Sequence, residues 1–172
     1  SFDKALNRDD SVQEALVVLG MPAVRNLALG FSLLSQYKHG ACKGFDYAGF
    51  WTASLACGIA LQELTLRTRA AQAEEAFSVG LLARVGELAL ATLHAEEYSG
   101  VLRTVSKSPQ ADLVGLEPER FAMNHRDLTA AMLTDWGLPK IFCEVAHAHE
   151  RCDEAVFREG SREYALLQSL AL

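Results

Sequence analysis

Apolar residues along this chain recur mostly at three- and four-residue steps, and no stretch alternates convincingly with polar residues over the length of a strand. The pattern predicts helices. Ser11-Val12-Gln13-Glu14 has the form of a capping box, opening a short helix that stops near Leu19-Gly20. Pro22 suits the first turn of the next helix, whose apolar face is Val24, Leu27, Ala28, Phe31 and Leu34. Residues 39–44 read as a loop with two glycines. Asp46 can cap a helix that runs to about Arg69. Residues 47–62 of it carry no charge, yet they are short for a bilayer and include Thr52, Ser54, Gly58 and Gln62. A helix that is apolar on nearly all sides is expected at the centre of a bundle.

A further helix is expected over residues 73–94, with Phe77, Leu81, Val85 and Leu88 inward and Arg84 able to pair with Glu87 three residues on. A shorter helical piece covers residues 97–106, and residues 107–115 read as a loop. Glu117-Pro118-Glu119 opens the next helix, with Phe121, His125, Leu128, Met132 and Trp136 on its inner face. Gly137 fits the position after a helix end, and Pro139 starts a helix bearing Ile141, Phe142, Val145 and His149 on one side. A last helix is expected over residues 161–172. There is no repeat of fixed period and no low-complexity segment. The fold class expected is all-α, a single domain over residues 1–172.

Composition narrows the function classes. Half of the 172 residues are hydrophobic, which argues against disorder. The net charge of −6 and scattered basic residues, with no basic stripe among aromatics, argue against nucleic-acid binding. Cys42, Cys57, Cys143 and Cys152 form no C-x-x-C pair and read as reduced thiols in a cytoplasmic protein. No signal peptide and no membrane insertion are expected.

The candidate chemistry is sparse. His147 and His149 lie two apart, roughly 200° around a helix, and cannot clasp one ion. His39, His94 and His125 have no partner three or four residues away in a standard metal motif. There is no G-x-S-x-G and no phosphate-cradling loop. Glu74, Glu75, Glu96 and Glu97 read as solvated faces, and Trp51 and Trp136 as core aromatics. No catalytic residue, metal ligand or cofactor is expected. The residues singled out for interaction, or as remnants of a site, are Trp51, Arg84, Glu87, His125, Trp136 and His149.

Several segments nonetheless align in order with one family. They are Leu19-Gly20 through Leu29, Phe50-Trp51-Thr52-Ala53-Ser54, Ala76-Phe77-Ser78-Val79-Gly80-Leu81-Leu82, and Asn124-His125 through Trp136-Gly137-Leu138-Pro139. His147-Ala148-His149 stands where that family often has a His-His pair. Over about residues 11–150 the chain resembles HDOD domains, the HD-related output domains of bacterial signalling proteins. The resemblance implies a compact helical bundle of the HD type, here lacking N-terminal helices and so a fragment of a longer multidomain protein. It also implies a regulatory or protein-interaction role without established metal-dependent hydrolysis, since HDOD domains are commonly fused to receiver, EAL or GGDEF domains of cyclic di-GMP signalling. Against the HD phosphohydrolases the resemblance puts Ala53 in place of a histidine ligand, Ala83-Arg84 in place of a His-Asp pair, and Ala148 inside the later His-His pair. Alanine has no donor atom and arginine is a permanent cation.

The resulting expectation is a non-catalytic module that binds a protein partner or a fused GGDEF or EAL domain, with a homodimer as a further possibility. One alternative is a divergent metal-dependent phosphohydrolase using His94, His125, His147 and His149. Another is a small-molecule sensor with a pocket near Trp51, Arg84 and Trp136.

Overall fold

The computed structural model describes residues 40–69, 72–108 and 110–150, with Phe157, Ser161 and Tyr164. Its helices are α1 (Tyr47–Thr68), α2 (Ala73–Leu82), α3 (Val85–Leu93), α4 (Ala95–Lys107), α5 (Leu113–Phe121), α6 (His125–Asp135) and α7 (Lys140–Ala148). No strand occurs among the described residues, so the all-α expectation holds for them. The capping box at Ser11, the helix from Pro22, His39, Cys152 and most of the closing helix lie outside the described residues.

Asp46 caps α1 as expected, its Oδ1 accepting from the Gly49 amide at 2.9 Å. The helix buries Phe50, Ser54, Gly58, Leu61 and Thr65 along one stripe. That stripe packs against α2, and the backbones meet closely: a Cβ on Gly58 would come within 2.9 Å of the Phe77 carbonyl oxygen. The helix is not central, however. Leu55 and Ile59, on the side away from the stripe, are each 48% exposed.

The single helix expected over residues 73–94 is broken at Ala83–Arg84 into α2 and α3. A continuous helix would point the Gly86 amide at Leu82. Here it donates instead to Thr129 Oγ1 of α6 at 2.9 Å. The turn also rotates the inward face: Ala76, Val79 and Leu82 are buried, whereas Phe77 and Leu81 are only half-buried. Beyond the turn every residue from Val85 to Ala91 is buried, which makes α3 the enclosed core helix of the described bundle. The stretch Glu75–Leu93 is apolar and long enough to cross a membrane by length and composition, but it is 67% buried inside this fold. Glu75, expected on a solvated face, is itself buried.

The long helix expected from Glu117 is also two helices. Pro118 sits inside α5, and Ala122, at φ 60°, ends it in a left-handed conformation. Asn124 then starts α6 with a capping box, its side chain accepting from the Asp127 amide at 2.9 Å while Asp127 accepts from the Asn124 amide. Asn124→Ala should cost about 1 kcal/mol in urea denaturation. A loss below about 0.3 kcal/mol would show that the box holds nothing. Gly137, at φ 77°, follows α6 as expected, and Pro139 leads into α7.

Candidate functional site

Five charged side chains converge where the α2–α3 turn, α5, the start of α6 and the end of α7 meet. His125, the first residue of α6, is at the centre and is 2% exposed. Its Nδ1 donates to Glu117 Oε2 at 2.7 Å, and its backbone N–H donates to the same oxygen at 2.8 Å. Its Nε2 donates to Glu150 Oε2 at 2.9 Å. Glu117 is fully buried, and its Oε1 accepts from the Tyr98 hydroxyl at 3.0 Å. At the outer edge the Arg84 guanidinium forks onto Glu87, Nε to Oε1 at 2.5 Å and Nη2 to Oε2 at 2.9 Å. Arg84 Nε also stands 3.8 Å from Glu150 Oε1, and His125 Nε2 lies 4.0 Å from Glu87 Oε1.

The electrostatics follow from that wiring. Burial pulls the His125 imidazolium down, but hydrogen bonds to Glu117 and Glu150 outweigh it and push its pKa up to about 10. With an acceptor on each ring nitrogen, the ring carries both protons near neutral pH. Burial would raise Glu150, yet the hydrogen bond and charge of His125 bring it down to about 2. Burial raises Glu87 despite the Arg84 fork, and burial lowers His149.

A cavity of about 290 Å³ opens beside this network. Ala53, Cys57, Gly80 and Ala83 give it apolar lining, and Ser54, Arg84, His149 and Glu150 polar lining. The positions at which the sequence resemblance removes ligands, Ala53 and Ala83-Arg84, thus come together in space.

Glu87, His125 and Glu150 each offer a ligand atom within 4.8 Å of the others, the spacing of a cation site. The donor set does not suit one. Arg84 already forks onto Glu87 and faces Glu150, and both ring nitrogens of His125 are committed to carboxylates. A divalent ion would have to displace a guanidinium and strip a proton from a ring that holds it tightly.

Against known proteins, the model of the HDOD domain matches residues 5–152. The chain belongs to the HDOD family. A comparison with curated proteins gives no match. Among solved structures, the MmoQ response regulator of Methylococcus capsulatus str. Bath is 42% identical with a TM-score of 0.72, covering 92% of this chain and 60% of its own. This HDOD chain therefore spans about 60% of the length of that structure. An HDOD domain protein of unknown function from Geobacter sulfurreducens, 18% identical, has a TM-score of 0.67 over 92% of this chain and 53% of its own. A Shewanella amazonensis structure, provisionally named a phosphohydrolase, is 24% identical with a TM-score of 0.62 over 93% of this chain and 56% of its own. The last two show the shared fold alone.

Of the residues singled out from the HDOD sequence, Arg84, Glu87 and His125 meet in the network and His149 reaches the cavity beside it. Trp51 and Trp136 do not; they are half-buried against the hydrophobic core. His147 faces away from His149 and bonds Asp127 at 2.9 Å, as the helical angle between them requires. The His94 ring lies 5.5 Å from that of Phe121, tilted by 46°. Sequence reasoning missed Glu117 and Glu150. By sequence Glu117 is a helix-opening acid; the structure places it within α5 and buries it completely. Cys42, Cys57 and Cys143 form no disulfide among the described residues.

Proposed function

We propose that this HDOD chain is a non-catalytic regulatory module of bacterial signal transduction, acting in the cytoplasm by binding a protein partner or a fused domain, with a GGDEF or EAL domain of cyclic di-GMP signalling as the output it controls. The observation that carries the reading is the Arg84 fork on Glu87. It puts a permanent cation where a hydrolytic ion would need free ligands. A two-metal hydrolase must hold both the attacking and the leaving oxygen, and one arginine-occupied triad does not supply that. The response-regulator name of MmoQ, borne by a protein 42% identical, supports a place in signalling. Coupling to a partner requires that the contact differ in free energy between two states of the pair.

The clustered Glu87, His125 and Glu150 favour a second reading, a divergent metal-dependent phosphohydrolase. One experiment separates the two. The purified chain is titrated with Mn²⁺ and Zn²⁺ in a calorimeter and then assayed on a chromogenic phosphodiester. The regulatory reading expects binding no tighter than about 100 μM, roughly −5.5 kcal/mol, and no turnover. Stoichiometric micromolar binding with turnover that disappears in Glu87→Gln would replace it with the second reading.

A further inference from the structure

The cavity beside the ion-pair network has its own chemistry. Its wall is built of small residues and is mostly carbon: Ala53, Ser54 and Cys57 from α1, Gly80 from α2 and Ala83 from the turn. Its rim carries one group of each sign. The Arg84 side chain is 46% exposed and that of Glu150 is 28% exposed. Glu150 commits Oε2 to His125, while among the described residues the nearest basic atoms to its Oε1 are Arg84 Nε at 3.8 Å and His149 Nε2 at 3.7 Å. Those distances are too long for hydrogen bonds, so Oε1 can still accept one at the cavity mouth. Arg84 spends Nε and one Nη2 hydrogen bond on Glu87, and a guanidinium has five N–H donors.

A ligand with one net charge meets its own sign on one side of this rim. A zwitterion meets neither problem but must shed much hydration to enter a carbon-lined hollow. A neutral polar edge, with an N–H directed to Glu150 and a carbonyl to Arg84, satisfies both groups at the lowest desolvation cost. We propose that this cavity is an effector site for a small molecule with an apolar or aromatic body and a neutral amide-like donor–acceptor edge, as found on carboxamides, lactams and nucleobases. The volume lies at the lower end of ordinary ligand pockets. As an effector site it rests on the regulatory reading, but binding itself does not, so the two fail in separate experiments.

The test uses the 172-residue chain and three molecules of one shape. Benzamide is neutral, benzoate is an anion and benzamidine is a cation. Each is titrated while the amide NMR spectrum is recorded. Benzamide should bind saturably, with a dissociation constant on the order of 1 mM, and benzoate and benzamidine at least fivefold more weakly. Ala53→Phe fills the cavity from an exposed site on α1 and should weaken benzamide tenfold or more, with the urea midpoint unchanged. If that variant folds poorly, Ala53→Leu serves with a smaller expected loss. No saturable shift with benzamide, equal binding of either charged analogue, or benzamide binding untouched by a folded Ala53 variant would each overturn the proposal.

Discussion

His125→Ala is expected to destabilise the domain by about 3–5 kcal/mol, the loss seen when one partner is taken from a buried charged set. The variant leaves Glu117 and Glu150 facing each other without the imidazolium between them, and leaves the Tyr98 hydroxyl on a carboxylate that has lost its ring partner. The same residue sets a pH dependence whose sign is fixed by its pKa. The folded pKa of about 10 lies above the unfolded 6.5, so the folded state binds a proton that the unfolded state releases between those values. Its contribution is complete below about pH 6.5 and is lost as pH rises through about 10. Glu150 acts oppositely at the acid end: held at about 2 against an ordinary 4.5, it contributes above pH 4.5 and is lost as pH falls toward 2. Buried neutral His149 opposes folding at pH below 6.5, and the raised Glu87 weighs against it once both states ionise. Urea midpoints of the native chain should therefore fall steadily from pH 7 to 10, and those of His125→Ala much less. Parallel slopes for the two proteins would show that the ring does not hold its proton as the geometry requires.

Gly86→Ala should be at least as damaging. An added methyl would stand 2.1 Å from the His125 carbonyl oxygen, 2.6 Å from Thr129 Oγ1 and 2.9 Å from the Thr129 nitrogen. Two of those atoms are backbone of α6, which cannot step aside as a side chain could. A loss of about 3 kcal/mol or more is expected, at the upper end of overpacking costs, with α3 pushed off α6. Gly115→Ala provides the contrast. It lies in α5 with nothing within 4 Å of the added atom, and it should raise stability by about 0.4–1 kcal/mol. Calorimetric melting of both variants reads the result. A mild Gly86→Ala, no worse than Gly115→Ala, would mean that α3 and α6 are not in contact at this point.

How much of this was legible in the residues depends on the range of the interaction. The Asp46 cap, the glycine at 137 and the Arg84–Glu87 pair are local, three or fewer residues apart, and periodicity with capping rules found them. The family was legible too, since its motifs keep their order and spacing along the chain. The breaks at Ala83–Arg84 and at Ala122 were not, because the apolar rhythm passes through both without a gap. The first break is written in a contact between Gly86 and Thr129, 43 residues apart. The second had a signal in Asn124 and Asp127, whose three-residue spacing is a capping box. The site was half legible. Arg84, Glu87 and His125 stood out as charges on apolar helix faces, but Glu117 and Glu150 gain their meaning only when three helices bring them to one ring.

Three members of the network occupy joints. Arg84 precedes α3, His125 opens α6, and Glu150 lies just past α7. Glu87 and Glu117 lie within helices, so the network ties these articulations to the rods beside them. Any force that draws the tail of α7 outward carries Glu150 from the imidazole and removes the acceptor securing one of its two protons. Mechanical displacement and proton occupancy are thereby coupled, with Glu117 left as the remaining acceptor.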